Sequence, residues 1–253
     1  MSRQRAEVGD SPGSLADLGP RGDRPGHLTL VPTPIGNLDD ITLRALKVLK
    51  QVDWIAAEDT RRARILLSAF DIDRPVFSHH AHNEHHDVPR LLERMLRGER
   101  GALITDAGMP GISDPGFLLM RAARRAGIGV DVLPGASAVT TALLLSGFPP
   151  EPFLFSGYVP ATSGRRETFL REVAQEERTV VVFETPHRLR ACLEVAQAAC
   201  PDRPIAICRE MTKLHEEITV GLAAELLAGL PETVKGEIAL VFAPRDRHGE
   251  WTR

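Results

Sequence analysis

Acidic and imidazole side chains follow directly after apolar runs in this 253-residue chain. Glu58 and Asp59 come after residues 54–57, and Glu184 and His187 come after a second apolar run. Such groups at strand ends can act as general acids or bases, because they take up or release protons. The pair Glu58-Asp59 can equally orient an arginine or cap the next helix, and the residues alone leave these three interpretations open.

A loop rich in glycine and proline at residues 106–116 separates an apolar run from a helical pattern. It is longer than the roughly two to six residues usual for such turns. Gly108 and Gly111 lack a Cβ, so backbone N–H groups there could approach a small molecule closely. A similar turn contains Gly135, with Ser137 at the N-cap position of the following helix. We therefore predict ligand loops rather than two ordinary turns.

Residues 32–37, with the sequence Pro-Thr-Pro-Ile-Gly-Asn, form a third turn between a strand and a helix. The chain contains no G-x-G-x-x-G and no G-x-x-x-x-G-K-[ST] sequence, which disfavours a dinucleotide dehydrogenase and a P-loop NTPase. It also contains no G-x-S-x-G sequence, which disfavours an esterase. The sequence therefore favours none of these three classes of enzyme.

Five of the nine histidines fall within one short stretch: His79, His80, His82, His85 and His86. Imidazole is a common metal ligand, but no cysteine and no H-E-x-x-H sequence accompanies them. We predict a solvated or substrate-facing loop and no metal site, because zinc needs about four convergent ligands. The arginines that follow Thr60 fit either an exposed helix face or a phosphate contact, and this choice stays open: Arg61, Arg62 and Arg64.

The elements that must position these residues alternate between strand and helix. The first part of the chain contains five short apolar runs, at 28–31, 54–57, 76–78, 102–105 and 130–133, separated by helical patterns. This order is typical of a largely parallel sheet with helices on both faces. Asp39 or Asp40 is expected to cap the first helix, and a later helix is predicted at Val88–Leu96 from its apolar spacing.

Three prolines between Phe148 and Phe153 predict a domain boundary, because they stiffen the chain. The second part mixes strands and helices less regularly, which predicts a mixed sheet with strands at 153–156, 180–183, 205–208, 217–220 and 238–242. We therefore expect two α/β domains, at 27–148 and 153–244. Residues 1–26 contain almost no apolar side chain and are expected to be a disordered tail, with a frayed end at 245–253.

Composition limits the function classes. The net charge of −3 gives no general attraction to nucleic acid or membranes, and no apolar run reaches the roughly 18 residues of a membrane helix. The three cysteines show no C-x-x-C spacing, which favours a reduced, cytoplasmic setting over a disulfide framework. The first residues lack the apolar core of a secretory signal.

Seven motifs occur in order along the chain: L-V-P-T-P-I-G-N-L-D-D-I-T-L-R-A-L at 30–46, A-A-E-D-T-R at 56–61, H-N-E at 82–84, L-I-T-D-A-G-M-P-G-I-S-D-P-G at 103–116, P-G-A-S-A at 134–138, F-E-T-P-H-R at 183–188 and K-G-E at 235–237. Together they resemble the ribosomal RNA small subunit methyltransferase I family of the tetrapyrrole methylase superfamily. Other members of the superfamily carry G-x-G-P-G and G-D-P in the first and second loops. The departure here favours an RNA substrate over a precorrin.

This resemblance implies two α/β domains with S-adenosylmethionine bound in a cleft between them, and a homodimer. No membrane association is expected, because no apolar run is long enough to span a membrane. It also implies transfer of a methyl group to the ribose 2′-OH of a cytidine in 16S ribosomal RNA, within the small ribosomal subunit. The cofactor-binding residues carried over from the motifs are Pro34, Ile35, Gly36, Asn37, Asp106, Ala107, Gly108, Gly111, Ile112, Ser137, Ala138 and Glu184.

A ribose hydroxyl is a weak nucleophile and reacts faster beside a base. The catalytic candidates are Glu58, Asp59, Glu184, His187 and Lys235, and the sequence does not rank them. Three other functions are weighed against methylation of RNA. These are methylation of a small tetrapyrrole by the same fold, non-catalytic binding to the ribosome, and chemistry on nucleotide phosphates. The altered first loop argues against the first, and the missing P-loop lysine argues against the last.

Overall fold

A computed structural model of the protein describes residues 26–81 and 83–245. The predicted tail before Gly26, His82 and almost all of the predicted frayed end lie outside the described residues. The chain divides into two compact units. One contains the described residues up to Val31 together with Thr42–Asp106 and Asp114–Pro134, and the other contains the remaining loops and everything described from Gly135 onward.

The first unit is built on a five-stranded parallel sheet. Its strands are β1 (His27–Leu30), β2 (Trp54–Ala57), β3 (Val76–Ser78), β4 (Arg100–Ile104) and β5 (Gly129–Val132). Their order across the sheet is β3-β2-β4-β1-β5, and every pairing is parallel. The predicted parallel sheet is confirmed. Because β4, β1 and β5 are neighbours, the three predicted ligand loops start from adjacent strand ends.

Four helices belong to this unit: α1 (Leu43–Gln51), α2 (Thr60–Ala69), α3 (Glu84–Leu96) and α4 (Phe117–Arg125). Buried apolar side chains of α3 and α4 pack against the sheet beside Trp54. The indole ring of Trp54 lies over Gly101, where an added Cβ would come within 2.2 Å of it. The core therefore depends on a large side chain that fills the space a glycine leaves.

Two local predictions in this unit need correction. Thr42, rather than Asp39 or Asp40, caps α1, and its Oγ1 accepts the Ala45 N–H at 3.0 Å. The two aspartates instead lie in one turn of 3-10 helix. Helix α3 also begins at Glu84 instead of Val88. Its first turn is polar, so a search for apolar spacing cannot detect it.

The second unit contains a five-stranded mixed sheet, as predicted. Its strands are β6 (Phe153–Tyr158), β7 (Thr179–Glu184), β8 (Ile205–Arg209), β9 (Glu217–Gly221) and β10 (Ile238–Phe242), in the order β6-β7-β10-β8-β9. Strand β6 runs parallel to β7, whereas β10 is antiparallel to both β7 and β8. The predicted limits of the two domains, 27–148 and 153–244, stay a prediction.

The helices of the second unit are α5 (Ala138–Leu145), α6 (Ser163–Gln175), α7 (Pro186–Ala199) and α8 (Ala223–Gly229). Buried Arg203 stabilises this unit by donating hydrogen bonds to the carbonyls of Ala243, Val173 and Arg178. All three cysteines are buried free thiols. Among residues 26–81 and 83–245, no helix combines the length and apolar character needed to cross a membrane.

Candidate active site

The first and second predicted ligand loops are hydrogen-bonded to each other. Thr33 donates its N–H to the Gly108 carbonyl at 2.9 Å, and Gly108 donates back to the Thr33 carbonyl at 3.0 Å. Gly108 has a φ of +79°, a left-handed conformation that favours glycine. An added Cβ there would lie 3.3 Å from the Ile35 side chain. The positive φ and this tight contact therefore both disfavour a larger residue at Gly108.

The third loop packs against the same two loops. A Cβ added at Gly135 would lie 2.8 Å from the Pro32 ring, and one added at Gly108 would lie 3.8 Å from the Ala136 carbonyl. One apolar core of the second unit is shared by residues of all three loops: Ile35, Ala107, Ala136 and Ala138. Residues Pro32–Ile41, Ala107–Ser113 and the described chain from Gly135 onward belong to this unit. The structure therefore brings together most of the predicted cofactor-binding residues.

The exposure of the predicted cofactor-binding residues divides them into three groups. Exposed are Gly36, Asn37 and Ile112; half-buried are Pro34, Asp106, Ala107, Gly111, Ser137 and Ala138; buried are Ile35, Gly108 and Glu184. Asn37 uses its side chain to accept the Asp39 N–H at 3.1 Å, which starts the short 3-10 turn. Ser137 occupies the N-cap position of α5, as predicted, and its hydroxyl makes no capping bond within the described part of the chain.

A fourth segment, at residues 210–213, was not singled out by the sequence patterns. A Cβ on Gly36 would lie 2.5 Å from the Lys213 side chain and 2.6 Å from Thr212 Oγ1, so this segment packs directly on the first loop. Glu210 and Thr212 both have positive φ, at 51° and 67°. Positive φ is costly for a β-branched residue and concentrates at functional sites.

Charged side chains tie this turn to the K-G-E motif. Lys213 Nζ lies 2.8 Å from Glu210 Oε1 and 3.0 Å from Glu237 Oε2. Glu237 donates its N–H to Glu210 at 2.8 Å. The Thr212 hydroxyl is buried and has no hydrogen-bond partner among the described residues. The signal in the sequence was a Glu and a Lys three residues apart after an apolar run, a pair that periodicity alone does not distinguish from surface charge.

A cluster of charged side chains lies in the first unit, at the ends of β2, β3 and β4. Asp59 donates its N–H to Asp106 Oδ1 at 3.1 Å, and Arg62 lies 3.5 Å from Asp106 Oδ2. Burial raises the pKa of the Glu58 carboxyl above its ordinary value, and the charge of Asp106 raises it further. A hydrogen bond from the Asp106 backbone opposes this shift in the pKa, as do the charges of Arg62 and His80. Glu58 is thus a carboxylate that holds its proton more tightly than an exposed glutamate.

Asp59, the neighbour of Glu58, has a structural role. Its Oδ1 accepts the Arg61 N–H at 2.7 Å and caps α2. This bond lowers the pKa of Asp59, with a smaller contribution from the Arg61 side chain. Of the three interpretations of the pair, a helix cap is confirmed for Asp59, while its catalytic assignment stays a prediction.

Glu184 and His187 differ in their surroundings. Glu184 is buried and paired with Arg188 at 2.8 Å, and it accepts the Thr185 N–H at 2.7 Å. Its Oε2 has no hydrogen-bond partner among the described residues. His187 is exposed, with Nε2 3.4 Å from the Thr185 hydroxyl. Lys235 is exposed as well, and its carbonyl accepts from Arg209 at 3.3 Å.

The histidine-rich loop contains no metal-binding group in the part of the chain that the structure describes. His79 is fully buried, and burial lowers its pKa. His86 is exposed and lies 3.6 Å from Asp87. The loop therefore combines one buried imidazole with solvent-facing ones, and His82 lies outside the described residues.

Comparison with known proteins places the chain among methylases. The family model for tetrapyrrole (corrin/porphyrin) methylases matches residues 27–227. Proteins named ribosomal RNA small subunit methyltransferase I match with 44% identity in Halalkalibacterium halodurans, covering 87% of this chain and 76% of that protein. The relative in Thermotoga maritima is 42% identical, covering 87% of this chain and 100% of that protein. The relative in Haemophilus influenzae is 47% identical, covering 87% and 79%.

Solved structures show the same fold at lower identity. A uroporphyrin-III C-methyltransferase from Thermus thermophilus aligns with a TM-score of 0.61 and 21% identity, covering 86% of this chain and 94% of that one. A diphthine synthase aligns with a TM-score of 0.65 and 17% identity, covering 86% and 90%. The match to the family model and the relatives at 42–47% identity show that the chain belongs to the tetrapyrrole methylase family and, within it, to the ribosomal RNA small subunit methyltransferase I family.

Proposed function

We propose that this protein transfers a methyl group from S-adenosylmethionine to the ribose 2′-OH of a cytidine in 16S ribosomal RNA. Family membership supports an rRNA methyltransferase at the coarser level. The observation that carries the proposal is the packing of three glycine-containing loops in one unit, bridged by the Thr33–Gly108 hydrogen bonds.

The loops fit a donor held by backbone groups. A Cβ would fill the space beside Gly36 and Gly108, so both positions require glycine where the chain approaches its neighbours. The buried Thr212 hydroxyl supplies a polar atom in need of a partner beside Gly36. From the predicted set we keep residues 34–37, 107–108, 111–112 and 137–138 for donor binding, and we add the turn at 210–213. Asp106 and Glu184 stay predictions as donor contacts. Bound S-adenosylmethionine supplies an electrophilic methyl group.

Glu58 is the base that we favour among the five candidates. A carboxylate with a raised pKa accepts a proton more readily, and a base is most effective when its pKa lies near the working pH. Asp59 is occupied as a cap, and Glu184 is buried against Arg188. In this mechanism the Glu58 carboxylate would take the proton of the ribose 2′-OH as the oxygen bonds to the methyl carbon of the donor, whose bond to sulfur breaks to release S-adenosylhomocysteine. Asp106 orients Arg62 at the start of the second loop.

The remaining candidates carry less support. A lysine acts as a base only when burial or neighbouring charge displaces its proton, and Lys235 is exposed. His187 is exposed as well. We also propose that the enzyme is a cytoplasmic homodimer and that its RNA substrate lies within the small ribosomal subunit, as the sequence motifs imply.

The test uses labelled S-adenosylmethionine, the purified protein and small ribosomal subunits that lack the modification. A 2′-O-methyl group blocks attack of that oxygen on the neighbouring phosphate, so we expect one new alkali-resistant linkage in 16S RNA, 3′ to a cytidine. A 2′-deoxy nucleotide at the target should eliminate transfer, because the 2′-OH is the acceptor. Label that stays with the free base after glycosidic cleavage would exclude the ribose. Transfer to a uroporphyrinogen but not to subunits would favour the tetrapyrrole alternative.

A further inference from the structure

Glu84 holds the end of the second ligand loop from a distant part of the chain. Its Oε1 accepts the N–H of Gly116 at 2.9 Å and the N–H of Leu118 at 3.1 Å. Gly116 is the N-cap residue of α4 and has a φ of +127°. A glycine offers no side chain to cap a helix, so a carboxylate 32 residues earlier in the sequence satisfies these amides.

The surroundings of Glu84 commit its carboxylate to this function. The side chain is only 12% exposed, and the fully buried His79 ring lies 3.7 Å away through Nε2. Burial lowers the pKa of His79, against the opposing charges of Glu84 and Asp87. The two amides lie at 2.9 and 3.1 Å from Glu84 Oε1, closer than the imidazole, and are the principal partners of the carboxylate. A negative charge at a helix N-terminus is also stabilised by the helix dipole.

The histidine-rich loop fixes the position of Glu84. The backbone N–H of His79 donates to the Ala57 carbonyl at 2.8 Å. This bond joins the loop to the end of β2. The Asn83 side chain accepts the His80 N–H at 2.7 Å and closes the turn that leads into α3. Glu84 follows as the first residue of that helix. Asn83 and Glu84 of the H-N-E motif therefore both have structural roles: Asn83 closes the turn, and Glu84 holds the two amides.

The two ends of the loop at 106–116 are held in the same way. At its beginning, Asp106 Oδ1 accepts the Asp59 N–H; at its end, Glu84 accepts the N–H groups of Gly116 and Leu118. Each anchor joins a carboxylate to backbone amides within the first unit. We propose that Glu84 is a positioning residue for methyl-donor binding, which sets the conformation of residues 107–113 without touching the donor. This inference rests on the proposed function of that loop.

The experiment compares E84A and E84Q with E93A. Glu93 lies on the same helix, where it pairs with Arg97 at 2.9 Å on the surface, and is the matched control. We expect E84A to weaken S-adenosylhomocysteine binding about tenfold or more in calorimetry, because two hydrogen bonds to a charged acceptor are lost. In E84Q the amide oxygen can still accept both N–H groups, so binding should stay within about threefold. E93A should bind normally.

Hydrogen exchange without ligand separates positioning from a stabilising cap. We expect faster exchange at Gly116, at Leu118 and throughout residues 107–113 in E84A, with E84Q close to the wild type. Wild-type affinity in E84A, or exchange unchanged at 107–113, would overturn the proposal. If E84A does not fold, E84D serves instead, because its shorter side chain cannot reach both amides. Failure of the wild type to bind S-adenosylhomocysteine would refute the proposed function, whereas the exchange result would still decide the role of Glu84.

Discussion

The packed loops of the second unit and the charged cluster of the first unit are held together by different kinds of interaction. The loops around Gly108 rely on backbone shape, with Thr33 and Gly108 exchanging hydrogen bonds. The cluster around Glu58 relies on side-chain charge, with Asp106 linking the Asp59 amide to Arg62. A binding site formed by backbone groups is disrupted by substitutions that change the shape of its loops. A site formed by charged side chains survives such substitutions as long as its carboxylates keep their protonation state.

The comparison assigns binding to the loops and proton transfer to the cluster. If this division is correct, substitutions in the loops should change donor affinity, whereas substitutions at Glu58 should change turnover with affinity preserved.

The largest effect is expected for E58Q. Glutamine keeps the size of the side chain but cannot take a proton, so kcat should fall by about 10²–10⁴-fold, the usual contribution of a general base. S-adenosylhomocysteine affinity should change by less than about twofold. Single-turnover transfer to subunits measures the rate, with D59N as control, since an asparagine can still cap α2. Equal losses in both variants would remove Glu58 as the specific base.

The pH profile sharpens this assignment. Glu58 acts as a base only when it is deprotonated, and its pKa lies above the ordinary glutamate value because of burial and the charge of Asp106. Lowering the pH through that pKa should reduce kcat/KM tenfold per pH unit, and the activity should recover as the pH rises. The acidic limb should disappear in the residual activity of E58Q. Its persistence would assign the limb to another group.

A somewhat smaller effect is expected for G108V, measured as binding. Valine at a φ of +79° and 3.3 Å from Ile35 must displace the loop, and donor affinity should fall about hundredfold as several backbone hydrogen bonds are lost. The control is G147V. Gly147 has a φ of +72° in the same unit, but an added Cβ there meets nothing within 4 Å. G147V should lose stability and keep its affinity; a similar affinity loss in both variants would indicate a general effect of backbone strain.

Sequence patterns predicted the two sheets and the three loops well, because strands have a distinct apolar signature and glycine and proline mark turns. Strands β2 (Trp54–Ala57), β3 (Val76–Ser78) and β10 (Ile238–Phe242) have the predicted limits. The loops follow strands that the sheet order makes neighbours, so their proximity follows from topology once that order is known.

The missed features all depend on contacts between distant residues. The role of Glu84 requires two amides 32 and 34 residues away, which no local pattern contains. The turn at 210–213 becomes a candidate part of the site only because it packs on Gly36. The raised pKa of Glu58 depends on burial and on Asp106, whereas the adjacent Asp59 shifts in the opposite direction. Sequence alone could therefore not separate these two carboxylates.

Thr212 offers a test with opposite outcomes for stability and binding. T212V removes a buried hydroxyl without a hydrogen-bond partner among the described residues, so the unliganded protein should become slightly more stable. Donor affinity should fall about two- to tenfold if the hydroxyl donates to the donor, the usual range for one neutral hydrogen bond. T212S, which keeps the hydroxyl, is the control. Greater stability with unchanged affinity would remove Thr212 from the donor site.

The smallest effect is expected for K235M, and its smallness is what makes it informative. Lys235 was a candidate base from the K-G-E motif, but it is exposed, and a lysine needs burial or neighbouring charge to lose its proton. Methionine keeps the length of the side chain and removes its charge. At saturating subunits, kcat should therefore stay within about twofold of the wild type, the difference that one exposed charge makes.

KM for the subunit should rise at low salt if this charge contacts RNA phosphate, and the rise should shrink as salt increases. A fall of kcat comparable to that of E58Q, insensitive to salt, would place proton transfer at Lys235 and remove it from Glu58.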